Sequence, residues 1–124
     1  MLIEKENTGI IIESAIEVHK VLGPGLLESA YEKCLSIEFE SRGIEFKTQV
    51  EIPLVYKGTQ VKPGYRIDML VENKVILELK SVESINPIHE AQLLTYLKLM
   101  HKKVGLILNF NSAVMKNGIK RMVL

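Results

Sequence analysis

Apolar positions recur at helical spacing through the front of the chain. Ile11, Ile12, Ala15, Ile16, Val18, Val21 and Leu22 outline one helix, with Asn7 or Thr8 available as its cap. Gly23-Pro24-Gly25 ends it. A second helix is expected over residues 26–42, where Leu27, Ala30, Tyr31, Cys34, Leu35, Ile37 and Phe39 are apolar and Gly43 is a natural stop. The rhythm then shortens to two. Residues 44–56 alternate roughly, with Phe46, Val50, Ile52, Leu54 and Tyr56 set among Lys47, Gln49 and Glu51. This predicts a strand, with Pro53 favouring an edge or a bulge. Lys57-Gly58-Thr59 reads as a turn, residues 61–71 as a second strand, Glu72-Asn73-Lys74 as another tight turn, and Val75–Lys80 as a third and more apolar strand. A helix over 88–101 carries Ala91, Leu93, Leu94, Leu97 and Met100, and an apolar strand over 104–110 follows it. Residues 111–118 are turn-like, and 119–124 suit a last short strand. The expected order is ααβββαββ. A strand, a helix and another apolar strand in succession imply one parallel crossover. The fold class is α/β, an α+β arrangement on a mixed sheet, in a single domain spanning residues 1–124.

Composition narrows the function classes. The chain has 124 residues, of which 47% are hydrophobic, enough for one core. Sixteen Lys and Arg stand against fifteen Asp and Glu, a net charge of +1, so nucleic acid is not gripped by bulk charge. Cys34 is the only cysteine, which excludes an intrachain disulfide and a cysteine-based zinc site. No apolar run reaches the roughly 18 residues of a membrane span, and the N-terminus lacks the pattern of a secretion signal. A cytoplasmic protein with no membrane partner is expected. With no Trp and 6% aromatic residues, the composition advertises no stacking platform for single strands.

The third strand carries the unusual chemistry. Val75–Lys80 has the apolar character of a central strand, yet it includes Glu78 and Lys80. With a period of two, both side chains point to one face. Charges there are costly unless they are paired or bind a metal. Asp68 lies in the preceding apolar run, and the turn at 72–74 makes the two strands hairpin neighbours, which brings Asp68 near Glu78. Two carboxylates and an ammonium on one patch suit metal-assisted phosphodiester hydrolysis, with hard oxygen ligands for Mg²⁺. A structural ion pair at a sheet end is the competing explanation.

Asp68, a short hairpin and Glu78-Leu79-Lys80 resemble the D…ExK core of the PD-(D/E)XK nuclease superfamily. Gln92 and Tyr96 on the following helix are similar to the QxxxY motif of its RecB-type branch, and their spacing of four puts them on one helix face. Gly25, Glu28 and Tyr31 resemble the signature of the GxxExxY family, which is placed in the same superfamily. The likeness runs from about residue 8 to residue 124. It implies a restriction-endonuclease-like core, with the two N-terminal helices on one side of the sheet and the third helix on the other. It also implies a role for each matching residue. Glu28, Asp68 and Glu78 would bind Mg²⁺ or Mn²⁺, with the Leu79 carbonyl as a further ligand. Lys80 would position or help deprotonate the attacking water, and Gln92 and Tyr96 would line the substrate site. The residue before Asp68 is Ile67 where the motif often has proline.

The function expected is metal-dependent hydrolysis of nucleic acid, with DNA named ahead of RNA. A chain this short offers little surface to a long duplex, so a homodimer or a partner protein is a further expectation. The alternative is a catalytically silent module on the same fold that binds nucleic acid or protein. Among the remaining candidates, His89 reads as a solvated residue at a helix start, His19 and His101 as surface residues, and Cys34 as a buried small residue. Lys98, Lys102, Lys103, Lys116, Lys120 and Arg121 form either a backbone-binding rim or a solvated charged face.

Overall fold

A computed structural model describes residues 4–62 and 64–124. Helices α1 (Lys5–Leu22) and α2 (Glu28–Ser41) come first. Strands β1 (Phe46–Glu51), β2 (Val55–Tyr56), β3 (Thr59–Gln60), β4 (Arg66–Val71) and β5 (Val75–Lys80) follow. Then come α3 (Pro87–Met100), β6 (Val104–Asn109), a 3₁₀ turn (Met115–Gly118) and β7 (Ile119–Val123). The main sheet runs β1-β4-β5-β6-β7 and is antiparallel except for the β5–β6 pair. It is therefore a mixed sheet, and α3 makes the expected parallel crossover.

Two apolar layers hold the helices to the sheet. On one face Ile11, Ala15, Tyr31, Leu35 and Phe39 of α1 and α2 pack against Met69, Val71, Leu77, Leu79, Leu106 and Leu108. On the other, Leu93, Tyr96 and Leu97 of α3 pack against Ile52, Ile67, Ile76 and Ile107. β6 is buried along its whole length, because both layers cover it. A Cβ at Gly105 would lie 2.8 Å from Leu93 Cδ1, so α3 sits directly on the β6 backbone.

The edge of the sheet breaks its own alternation. In β1, Phe46 packs toward α1 and α2, whereas Val50 packs toward α3. In β4, Met69 and Val71 face α1 and α2, whereas Ile67 faces α3. Residues two apart should share a face, so both strands turn over, one at Gln49 and the other at Asp68. The register runs on through the inversion, from Thr48↔Met69 to Val50↔Ile67, with no pairing between Gln49 and Asp68. Gln49 accomplishes this in the left-handed region, at φ 51°. That conformation costs a non-glycine residue about 1 kcal/mol or more.

Several sequence expectations shift in detail. The strand expected over 44–56 divides into β1 and β2, the strand expected over 61–71 starts only at Arg66, as β4, and β3 (Thr59–Gln60) begins inside the expected 57–59 turn. Pro53 has no N–H to continue the ladder. Lys57 and Gly58, both at positive φ, close a two-residue hairpin at β2–β3. The observed order thus adds a small two-stranded sheet to ααβββαββ. α1 begins before Asn7 and Thr8, so neither caps it; the Thr8 hydroxyl instead donates to the Lys5 carbonyl (3.1 Å). His19 is buried rather than on the surface, with Nε2 2.8 Å from the Ser112 carbonyl oxygen. Glu72 and Asn73, at φ 53° and 55°, form the tight β4–β5 turn that the sequence predicted.

Candidate active site

The β4–β5 hairpin pairs by backbone from Val71↔Val75 to Met69↔Leu77, and there the ladder stops. Beyond it, side chains take over. The Asp68 N–H donates to Glu78 Oε2 (3.0 Å), and the Leu79 N–H donates to Asp68 Oδ2 (2.7 Å). Each carboxylate is fixed by the partner strand's backbone. Asp68 stands at the inversion of β4, so α2 reaches it from one side and Glu78 from the other.

Glu78 is 6% exposed and has an unfavourable position for a charge. Its pKa rises from 4.5 to about 8, first because burial penalises the anion and then because Asp68 repels it. The Asp68 N–H and the Lys80 ammonium pull the other way without cancelling the rise. Burial and Asp68 therefore favour the protonated form of Glu78 in the free protein. Lys80, half-buried at the end of β5, has no ion pair among the described residues.

On the α2 side a cleft is lined by Glu28, Ser29, Glu32, Gln49, Asp68 and Leu79. Glu28 Oε2 accepts the Ser81 N–H (3.0 Å), and the Ser81 hydroxyl donates to the Leu26 carbonyl (2.7 Å). These bonds tie the start of α2 to the residue after Lys80. Tyr31, fully buried and stacked on Phe110 at 4.3 Å, donates its hydroxyl hydrogen to the Gly23 carbonyl (2.6 Å) and accepts the Leu26 N–H (3.1 Å). The Gly25, Glu28 and Tyr31 trio is thus one loop-and-helix unit that sets Glu28 against β5. Gln49 Nε2 donates to Glu32 Oε1 (2.7 Å) and reaches Asp68 Oδ1 at 3.5 Å.

On the α3 side lie Tyr96, Gln92 and Tyr65. Tyr96 is buried, and its pKa is raised by burial first, then by Glu78, Tyr65 and Asp68. Gln92, exposed one turn earlier, opposes part of that rise. The fold therefore gathers Asp68, Glu78, Leu79, Lys80, Tyr96 and Gln92 at one end of the sheet, with Glu28 across the cleft. Sequence reasoning missed Glu32, Gln49 and Asn109. Asn109, buried beside Lys80 in the β5–β6 register, accepts the Val82 N–H (3.1 Å) and donates to the Val82 carbonyl (3.0 Å), pinning the loop after Lys80. An amide closing the apolar run of β6 was its signal in the sequence. Gln49 gave none, since glutamine has no left-handed preference. His89 serves the start of α3, where Nδ1 accepts the Asn86 N–H (3.1 Å).

The donor set fits a small hard cation held by few protein ligands. Among the described residues no three His, Cys, Asp or Glu side chains converge closely enough to hold a metal ion. The fixed pair is Asp68 and Glu78, with Glu28 engaged at Ser81. Mg²⁺ commonly takes one or two carboxylates and completes its shell with water and phosphate oxygens. A cation between Asp68 and Glu78 would also relieve the repulsion that raises Glu78. No helix among the described residues is long and apolar enough to cross a membrane.

No curated protein matches this chain. Among solved structures, the crystal structure of SSO0001 is similar over 98% of this chain and 68% of its own length, at 18% identity and a TM-score of 0.45. The family model of the PD-(D/E)XK nuclease superfamily matches residues 5–122. With the match spanning nearly all of the sequence, the chain belongs to the PD-(D/E)XK nuclease superfamily.

Proposed function

We propose that this chain is a metal-dependent nuclease that hydrolyses phosphodiester bonds in nucleic acid, with DNA the expected substrate. The observation that carries the reading is the carboxylate pair. Asp68 and Glu78 are locked together by backbone N–H groups, and Glu78 is held at a pKa of about 8 beside Lys80. A fold optimised for stability alone would not bury that acid next to another. Asp68 and Glu78 would hold Mg²⁺ or Mn²⁺, with the Leu79 carbonyl and, across the cleft, Glu28 as further donors. The cation supplies Lewis-acid charge to the phosphate.

The chain's own groups supply the rest. In the reaction a water oxygen attacks phosphorus, one P–O ester bond breaks, and the departing oxygen takes up a proton. Lys80 positions the water and offsets charge building on the phosphate. Tyr96 and Gln92 orient the strand from α3. Glu28, braced by Ser81 and the Tyr31 loop, borders the cleft on the opposite side.

Cleavage of DNA and RNA with Mg²⁺ or Mn²⁺ by wild type and Lys80→Ala tests the reading. Wild-type cleavage that falls by about 10²–10⁴-fold in the variant is expected for loss of a group acting on the attacking water. Equal activity in both proteins would contradict the assignment.

A further inference from the structure

Beyond β1 the chain leaves the main sheet as an arm that carries the β2–β3 hairpin, and it re-enters the sheet at Arg66. Residues 53–66 carry Lys57, Lys62 and Arg66 and no Asp or Glu, in a chain of net charge +1. No ion pair engages these three cations among the described residues. The arm continues the β1–β4 pairing: Glu51 pairs with Arg66, the Ile52 N–H donates to the Tyr65 carbonyl (2.7 Å), and β2–β3 closes beyond. Since β4 is antiparallel to β5, Arg66 at the start of β4 lies toward the Lys80 end of β5. The arm therefore springs from the end of the sheet that holds Asp68, Glu78 and Lys80.

Aromatic residues concentrate there too. The chain has four tyrosines. Tyr31 is in the core, but Tyr56 and Tyr65 are 65% and 57% exposed. The Tyr65 ring lies 6.4 Å from Tyr96, linking the arm to the site. Lys57 Nζ sits 5.4 Å above the Tyr56 ring. Tyr65, exposed and followed directly by Arg66, combines what single-strand binders use, a face for a base and a charge for the backbone, and the arm adds Lys57 and Lys62. Bases inside a duplex are already stacked, so such a ring engages only an unpaired or frayed nucleotide.

We propose that Tyr65, with Lys57, Lys62 and Arg66, forms a strand-binding surface that stacks an unpaired base beside the reacting phosphate, making single-stranded nucleic acid or a frayed end the preferred substrate. This deepens the nuclease reading and rests on it for the phosphate's position. The test is binding without turnover. Anisotropy is measured in EDTA with fluorescein-labelled oligothymidylate, oligouridylate and a blunt DNA hairpin. Wild type should bind a single strand at least about tenfold more tightly than the duplex. Tyr65→Ala should weaken single-strand binding by about tenfold, the effect of losing one stacked base, and leave duplex binding unchanged. Tyr65→Phe should bind like wild type. Replacing Lys57, Lys62 and Arg66 by Ala should flatten the salt dependence by up to about two in log–log slope. The chain has no Trp, so Tyr65→Trp gives a single reporter whose fluorescence single strands should quench and the duplex should not. The two single strands rank DNA against RNA. The surface is overturned if no oligonucleotide binds, if Tyr65→Ala binds like wild type, or if it weakens strand and duplex alike. Cleavage is scored separately with Mg²⁺. Strand binding that depends on Tyr65 but is not followed by cleavage supports the surface and removes the hydrolytic reading.

Discussion

At its turn end the β4–β5 hairpin pairs Met69 with Leu77, Leu70 with Ile76 and Val71 with Val75, all buried and joined by backbone bonds. At its open end the same strands place Asp68 against Glu78, and carboxylates instead of carbonyls receive the N–H groups. The turn end supplies stability. The open end holds a buried acid against another acid, an arrangement that lowers stability until a cation or proton neutralises it. The contrast teaches that one hairpin can serve as scaffold and site when the register is fixed at one end and released at the other. Glu72 and Asn73 fix it, and the inversion at Gln49 and Asp68 releases it.

The largest expected effect breaks the open end alone. Asp68→Asn should reduce cleavage on the order of 10³-fold, since the loss of metal-based charge stabilisation is worth several kcal/mol. Steady-state kinetics at saturating Mg²⁺ would show it, with the melting temperature in EDTA changing little. The turn end should respond in the opposite manner. Leu77→Ala leaves a cavity in the α1–α2 layer and should cost about 2–5 kcal/mol by urea denaturation. The fraction that remains folded should still bind Mn²⁺.

Protonation sharpens the comparison next. Glu78 has a pKa of about 8 in the fold against 4.5 ordinarily. Between these values the folded chain holds a proton that the unfolded chain has released, so stability falls as pH rises through that window. Below pH 4.5 both states are protonated and the penalty vanishes. Glu78→Gln stays neutral throughout. In EDTA at pH 9 it should exceed wild type by about 2–5 kcal/mol, and at pH 4 the two should match. Denaturation at both pH values checks this. The smallest effect concerns the inversion. Gln49→Gly removes the left-handed strain and should raise stability by up to about 1 kcal/mol, while cleavage declines because Asp68 and Glu32 lose their shared amide.

Much of this site is legible in the sequence because the three-residue turn Glu72-Asn73-Lys74 carries the register from Val71 and Val75 outward. The approach of Asp68 to Glu78 follows from counting along two strands. The parallel crossover and the placement of α3 follow from an apolar run on either side of a helix. The face change at Gln49 is not legible, since Phe46, Val50 and Ile52 keep even spacing while packing on opposite sides. His19 is buried by the chain near Ser112, a contact across 93 positions that no local pattern announces. The basic residues also read differently in three dimensions. Lys102 and Lys103 precede β6 at the turn end, far from the carboxylates, and Lys120 pairs with Glu90 (3.6 Å). The cations at the site end of the sheet are Lys80 and Arg66, with Lys57 and Lys62 on the arm beyond. An aromatic content of 6% likewise conceals that Tyr56, Tyr65 and Tyr96 belong to the arm and the site it adjoins.

The central claim is that Asp68 and Glu78 share one divalent cation. Calorimetric titration of Mn²⁺ at pH 7, repeated in buffers of different ionisation enthalpy, measures both binding and proton release. With Glu78 at a pKa of about 8, binding should expel close to one proton from wild type and none from Glu78→Gln, whose affinity should also collapse. Binding with no proton release, or equal affinity in the two proteins, would contradict the account.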